Sequence, residues 1–505
     1  MPERANEAGM AASDKGAGPR GSLTFRFRGR TVALDRFAPR TTLLDWLREE
    51  AGAKGTKEGC GEGDCGACTV ILSRLKPDGA LSYEPVNACI LLLGQVDGAE
   101  VLTVEDLADG ERLHPVQQAM VDHHGSQCGF CTPGIVMSLF ALYHQREPAT
   151  YAGVCDALAG NLCRCTGYRP IVDAALMTID GAPTDRFAAS HARRLAAIRA
   201  LDDDRDLFVG DEQSFFAAPA SEAALADLYA RHADATLVAG ATDVGLWVTK
   251  RLATLGKVVW LGRVRDFDVI RDESHSLQIG AGASLADAAP HLQALHPDLG
   301  GLMSRFASAQ VRASGTVGGN IANGSPIGDL APAFIALGAS VELRRAGVMR
   351  SLDLEKFFVG YGKQDRASSE YVAALKVPKL AADEVFRAYK VSKRFDEDIS
   401  AVMAAFKVTL QGRRIASARV AYGGMAATPK RAAALEAALA GLDLDAPTSW
   451  SAAASAVAAD FAPLTDMRAT AAYRSQVANN LVLRALAEIA GLASPTRIGD
   501  LHAAE

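Results

Sequence analysis

Glu58-Gly59-Cys60-Gly61-Glu62-Gly63-Asp64-Cys65-Gly66-Ala67-Cys68, followed by Cys89, is the stretch on which the fold turns. Four and then two residues separate its three cysteines, and a Cys-x4-Cys-x2-Cys run with a later fourth cysteine is the spacing that ligates a [2Fe–2S] cluster. A cluster held by four thiolates is anionic, so its loop must approach closely and aim backbone N–H groups at the sulfurs. Gly59, Gly61, Gly63 and Gly66 permit both, because glycine carries no side chain and tolerates positive φ. A zinc knuckle or a set of buried thiols is the plainer reading, and the x4/x2 spacing within its flanking elements argues against it. Those elements are two short alternating strands over residues 22–34 around a turn at Gly29-Arg30, then a helix with Leu43, Leu44 and Leu47 on one face. Thr41 or Thr42 is its N-cap and Gly52 its stop, and a strand over 69–72 follows the cysteine loop.

A second set, Cys128-Gly-Phe-Cys131 and Cys163-Arg-Cys165, lies where apolar residues recur at helical spacing over 116–123, 134–144 and 171–179. Cys-x-x-Cys alone suits zinc or a thiol–disulfide couple equally well, whereas Cys-x-Cys is less usual for tetrahedral zinc. Each pair precedes a helical start, Thr132-Pro133-Gly134 and Tyr168-Arg169-Pro170, where dipoles and N–H groups favour an anion. Eight cysteines make two clusters. The ninth, Cys155, reads as a small buried apolar residue.

All nine cysteines fall between Cys60 and Cys165, and the 340 residues after them contain none, so sulfur chemistry is confined to the first third. A chain of 505 residues has the length of three or four domains, and 49% hydrophobic residues exclude wholesale disorder. A formal net charge of -6 speaks against nucleic acid as a partner. Residues 1–20 read as a disordered tail without the apolar core of a secretory signal, and no run of about 18 apolar residues predicts a membrane span. The expected compartment is the cytoplasm, where thiols stay reduced and dense cysteines indicate metal or redox chemistry. Residues 181–206 look like a linker. Beyond them strands at 236–238, 258–261 and 277–279 alternate with helices, and strands at 399–410 and 415–421 pair with alanine-rich helices.

Two strict Gly-x-Gly-x-x-Gly matches, at Gly16/Gly18/Gly21 and Gly61/Gly63/Gly66, are spurious, since neither is a strand-to-helix turn. Leu237-Val-Ala-Gly-Ala-Thr-Asp-Val-Gly245 and Ser314-Gly-Thr-Val-Gly-Gly-Asn320 are better candidates for phosphate contact, the second because it is expected to offer several unengaged N–H groups. Against each stands an ordinary turn. Asp329 reads as a helix cap or a ribose partner, and Lys390 as a surface charge or a cofactor contact. His114, His123 and His124 read as structural rather than catalytic.

Taken together, Glu58–Cys68, Leu113-His-Pro-Val-Gln117, Gln127-Cys-Gly-Phe-Cys-Thr-Pro-Gly134, Gly160-Asn-Leu-Cys-Arg-Cys-Thr-Gly-Tyr-Arg-Pro170, Gly315–Asn323 and Lys393-Arg-Phe-Asp-Glu-Asp-Ile-Ser400 closely resemble the iron–sulfur and flavin subunit of bacterial xanthine dehydrogenases, in the molybdenum hydroxylase family. The resemblance runs from about residue 22 to 495. It implies a multidomain α+β chain: a plant-type ferredoxin-like β-grasp [2Fe–2S] domain (21–103), a helical-bundle [2Fe–2S] domain (104–183), a linker (184–204), an α+β FAD-binding domain of the vanillyl-alcohol-oxidase (PCMH) type (205–382) and an α+β C-terminal domain (383–497).

By the same resemblance Cys60, Cys65, Cys68 and Cys89 bind one cluster, and Cys128, Cys131, Cys163 and Cys165 the other, nearer a molybdenum cofactor that Gln127 faces. The FAD pattern falls on Leu237, Val238, Ala239, Gly240, Ala241, Thr242, Asp243, Val244, Phe306, Thr316, Val317, Gly318, Gly319, Asn320, Asp329 and Lys390. The family's usual Gly-Gly-Asn-Thr is Ala239-Gly240-Ala241-Thr242 here, a departure that bears on side-chain contacts and not on backbone ones. Asp396-Glu397-Asp398 resembles a loop beside the flavin that affects access of the electron acceptor. The implied function is electron transfer in purine oxidation, from the molybdenum of a large partner subunit, in a heterotetramer of two small and two large chains, through both clusters to FAD and on to NAD. The same cofactor chain would also serve an aldehyde, carbon monoxide or aromatic acyl-CoA enzyme, and a zinc-stabilised scaffold is the non-redox alternative. At 505 residues no length remains for a molybdenum domain, so that domain is expected on another chain.

Overall fold

The N-terminal hairpin forms as its alternation requires in the computed structural model, which describes residues 18–76 and 78–492: strands Leu23–Phe27 and Arg30–Leu34 pair antiparallel. Leu23, Phe25 and Phe27 point inward, and both phenylalanine rings meet Trp46 edge-on at 5.0 and 5.3 Å. Thr42 caps the helix beginning at Leu43 through a reciprocal bond with Asp45, and the helix widens to π geometry over Trp46–Glu50. Strands Glu100–Leu102, Thr69–Ser73 and Glu84–Asn87 complete a five-stranded sheet, with Leu23–Phe27 and Glu100–Leu102 parallel at its centre.

Four helices follow, Pro115–Asp122, Thr132–Tyr143, Tyr151–Leu158 and Arg169–Thr178. The third was not foreseen, and it corrects the reading of Cys155, which is exposed on its surface and not part of the core. The stretch read as a linker is helical over Arg186–Ala189 and His191–Arg199. Phe187 joins the core of the four helices, and Arg194 is buried against Glu100 (2.8 Å) and the Tyr83 hydroxyl (2.6 Å). Arg20, assigned to the tail, is likewise ordered between Asp97 (2.6 Å) and Asp203 (2.9 Å). Residues 1–17 of that tail, and 493–497 of the last domain, lie outside the described residues.

The next region has two lobes. One is a four-stranded sheet (Leu207–Gly210, Phe215–Ala218, Lys257–Trp260, Thr236–Val238) and the other an antiparallel five-stranded sheet (Ile270–Asp272, Ser276–Gly280, Tyr371–Pro378, Ser340–Arg345, Val348–Asp353) packed on helices such as Leu330–Leu337. The first lobe shares one apolar core with the ferredoxin-like sheet. Phe216 sits so close to Gly94 that a Cβ there would come within 2.3 Å of its ring. The C-terminal domain is a four-stranded sheet (Glu384–Val391, Val402–Gln411, Arg414–Gly423, Lys430–Arg431) against helix Ala471–Ala490. Its second strand begins at Val402, three residues later than the pattern from Ile399 suggested, because Ile399 and Ser400 face a cavity instead. Among the described residues no helix is long and apolar enough to cross a membrane.

Candidate functional site

The first cysteine set gathers at the edge of the ferredoxin-like sheet. Cys68 and Cys89 are buried with their sulfurs 3.3 Å apart, and Cys60 Sγ accepts from the N–H groups of Glu62 and Cys65, each at 3.4 Å. Asn87 Nδ2 lies 3.8 Å from Cys68 Sγ. Gly59 serves by smallness and not by φ, since a Cβ there would stand 2.8 Å from Cys65 Sγ. Gly66 has φ +68, and its missing Cβ makes room for Gly160 O at 2.1 Å. The thiols of Cys65 and Cys89 are driven upward, chiefly by Cys60 beside them, while Cys60 is held low by the thiols that donate to it. Packing four sulfurs this tightly suits a cationic metal centre, which lets all of them ionise.

The second set lies at the start of helices. Cys131 is the N-cap residue of Thr132–Tyr143, and its thiol is pushed up to about 12 by burial and by neighbouring Cys163. Cys128 faces Cys165, and both are exposed, as is Gln127. Cys163 Sγ lies 3.2 Å from the Thr166 hydroxyl, and the Cys163 N–H donates to the Tyr168 hydroxyl at 2.7 Å. The two sets touch: Leu162 N–H donates to Cys65 O at 3.0 Å, and Phe130 covers Gly59. His114 takes no part in either set. Its Nε2 bonds Asp185 at 2.8 Å and its Nδ1 accepts from Val116 N–H.

A cavity of about 570 Å³ runs between the two lobes. Residues 237–244 line it except Val238, and residues 316–320 except Val317. Those two valines point into apolar cores. Phe306, Asp329 and Lys390 also line it. The two glycine loops differ from the expectation in one respect. In the second, the N–H groups of Val317 and Gly318 donate to Ala283 O and Ala281 O, that of Gly319 to Thr316 Oγ1, and that of Asn320 to Thr316 O, so the expected unengaged donors are taken. The first loop supplies them: the N–H groups of residues 239–243 donate to no protein acceptor among the described residues. Ala241 holds φ +62, a strained conformation for alanine that turns successive N–H groups to one side. Gln95 and Trp260 pin the Ala239 carbonyl from behind at 3.0 and 3.1 Å.

Lys390 and Asp329 are neither a surface charge nor a side-chain cap. Lys390 Nζ meets Asp329 Oδ2 at 2.6 Å, Ser400 Oγ donates to Asp329 Oδ1 at 2.5 Å, and all three are buried at the cavity wall. Tyr371, Val372 and Ser400 also line the cavity and carried no glycine or charge signature to reveal them. Glu397 reaches it too, its carboxyl pushed up to about 8 by burial and by Asp64 of the first cysteine loop.

Four family models match successive parts of the chain. They are a 2Fe-2S iron-sulfur cluster binding domain (25–93), a [2Fe-2S] binding domain (103–176), an FAD binding domain in molybdopterin dehydrogenase (212–380) and a CO dehydrogenase flavoprotein C-terminal domain (387–489). The chain is 31% identical to a xanthine dehydrogenase of Emericella nidulans over 497 residues, which is 87% of this chain and 36% of that protein. The chain belongs to the molybdenum hydroxylase family. Within the family it carries the iron–sulfur and FAD modules. It is also 31% identical to the xanthine dehydrogenase/oxidase of Rattus norvegicus over 80% of this chain and 34% of that protein, so it spans about a third of the length of these curated relatives. Among solved structures it resembles carbon monoxide dehydrogenase of Hydrogenophaga pseudoflava (TM-score 0.51, 29% identity, 53% of this chain and 94% of that one) and that of Oligotropha carboxidovorans (0.52, 27%, 56% and 99%).

The residues present fit the cofactors of a molybdenum hydroxylase. Eight thiols stand in two groups of four, and the first glycine loop offers unpaired N–H groups to a pyrophosphate. Gly240 lets the two loops meet, for a Cβ there would fall 1.9 Å from Ser314 O and force them apart. The site order is legible in contacts. The first cysteine set lies between the second and the flavin lobe, where Gly245 packs on Ile90 beside Cys89 and Lys250 bonds Cys60 O.

Proposed function

We propose that this chain is the iron–sulfur and FAD subunit of a xanthine dehydrogenase. In this reading it accepts electrons from a molybdenum cofactor on a large partner subunit, where a purine such as hypoxanthine or xanthine is oxidised, and delivers them to NAD. The observation that carries the reading is a single alignment with xanthine dehydrogenase over 87% of the chain, through both cluster modules and the flavin module in order, where the carbon monoxide dehydrogenase chains cover little more than half.

When bound, two [2Fe–2S] clusters supply one-electron transfer and FAD converts single electrons into a pair for hydride release. The chain's own residues hold and order these groups. Cys60, Cys65, Cys68 and Cys89 hold the inner cluster. Cys128, Cys131, Cys163 and Cys165 hold the outer one, which with exposed Gln127 faces the partner. Residues 239–243 hold the FAD pyrophosphate, and Lys390, fixed by Asp329, stands over Phe306 at 5.9 Å and sets the field at the cavity wall. The assembly is two small and two large chains.

Co-purification from the native source followed by anaerobic assay tests the reading. Xanthine-dependent bleaching together with NADH formation is expected. Bleaching by xanthine without NADH overturns the dehydrogenase assignment, and bleaching by an aldehyde or carbon monoxide but not by xanthine moves the chain to another molybdenum hydroxylase.

A further inference from the structure

Gln310 is 1% exposed, belongs to neither cysteine set, and does not line the flavin cavity. Its Nε2 lies 3.2 Å from Thr69 Oγ1, 3.1 Å from Ser138 Oγ and 3.0 Å from Asn161 Oδ1. Each partner stands on a different cofactor loop or its support. Thr69 directly follows Cys68, Asn161 stands two residues before Cys163, and Ser138 is on the helix that Cys131 opens. Gln310 itself is on helix Ala309–Ser314, which joins Phe306 to Thr316 of the cavity wall.

The protons in this cluster leave one consistent arrangement. The Thr69 hydroxyl donates to Gly66 O at 2.7 Å, and the Ser138 hydroxyl to Asn161 Oδ1 at 2.6 Å. Asn161 Nδ2 donates to Gly66 O at 3.2 Å and Thr69 Oγ1 at 3.3 Å. All three oxygens facing Gln310 are therefore acceptors, and the two protons of its amide NH₂ are shared among them. Gln310 Oε1, by contrast, is buried with no partner, in the space left by the missing Cβ of Gly160, which would stand 2.3 Å from it. The unpaired carbonyl is a desolvation cost that this side chain carries in exchange for the protons its amide gives to the three buried oxygens around it.

We infer that Gln310 is a positioning residue for electron transfer, one side chain that fixes the spacing between the two cysteine sets and the flavin cavity. The inference rests on reading those sites as cluster and FAD sites. Each transfer oxidises one centre by one electron and reduces the next by one, with no bond made or broken, and its rate falls steeply with separation. Backbones meet without side chains at this junction. A Cβ on Gly134 would lie 2.0 Å from Gly66 O, so loosening the cluster lets whole loops part.

The test uses the holoenzyme with its partner subunit and the substitutions Gln310→Met and, approaching the same contact from the opposite loop, Gly160→Ala. Iron and FAD content, the midpoint potential of each centre, the EPR spin–spin splitting between the two reduced clusters, and the rate of flavin reduction after a photochemical reductant pulse are measured. Full cofactor content, unchanged potentials, a changed splitting and flavin reduction slower by roughly tenfold are expected. Unchanged splitting and rate in a folded, fully loaded variant overturn the inference, as does loss of iron or FAD with normal rates in the loaded fraction. The pulse needs no purine, so a wrong substrate leaves this readout intact. An unsubstituted protein without iron or flavin would instead sink the cofactor reading itself.

Discussion

The two cysteine sets contain the same four ligands and sit in opposite surroundings. Cys68 and Cys89 are sealed beneath the ferredoxin-like sheet, and their loop is hemmed in by the second set on one side and the flavin lobe on the other. Cys128 and Cys165 are exposed, with Phe130 and Leu162 open to solvent beside them. The inner site has protein on both sides, and the outer one presents an open face. The difference is one of packing, not of ligand chemistry.

Substitution at matched positions breaks the comparison most sharply. Cys68→Ser removes a ligand inside a packed core and is expected to cost the inner cluster together with folding stability, lowering Tm by on the order of 10 °C, as when metal binding is coupled to folding. Cys128→Ser is expected to remove the outer cluster alone, halving the iron and leaving Tm within about 3 °C. Iron analysis with calorimetry reads both, and an equal loss of stability in the two variants would contradict the distinction.

Gly240→Val acts on the third site only. Its side chain would collide with Ser314 O, so FAD is lost while both clusters remain, as flavin absorbance against iron content will report. A smaller effect is expected from Lys390→Met, which leaves the buried Asp329 carboxylate with Ser400 alone. FAD affinity should fall by roughly tenfold, measured by fluorescence on flavin release.

The mildest prediction concerns the joint between the helical domain and the segment after it. Burial pushes His144 down despite the pull of Asp185. Burial also opposes the charge on Asp185, but bonds from His114, His144 and the Ala188 N–H hold that carboxyl below its usual range. Both depressed groups bind more protons when unfolded, so stability falls as pH drops, first below about 6.5 and again below about 3.9. His144→Gln should flatten the first decline in a Tm–pH series.

Much of this was legible locally. The hairpin, the Thr42 cap and the strand over 69–72 follow from alternation and spacing within a dozen residues. What escaped is settled by distant partners. In the second glycine loop the N–H groups of Val317 and Gly318 are taken by Ala283 and Ala281, more than thirty positions upstream, and those of Gly319 and Asn320 by Thr316, while the Ala-Gly-Ala loop keeps its own open. Asn at position 241 would adopt the left-handed conformation readily, whereas the alanine there holds it at φ +62 with no polar side chain. Asp329, Lys390 and Ser400 meet across 61 and 71 residues, beyond the reach of a cap rule. Cys155 was misplaced because its helix, Tyr151–Leu158, buries only Val154 and Leu158 and so shows little periodicity.

The most direct measurement is EPR of the fully reduced protein, integrated against chain concentration. Two distinct [2Fe–2S] signals, each of about one spin per chain, are the predicted result, with the Cys128→Ser protein keeping the signal of the inner cluster, freed of its splitting by the outer one. A single signal, or zinc where iron should be, would contradict the account of an inner and an outer cluster.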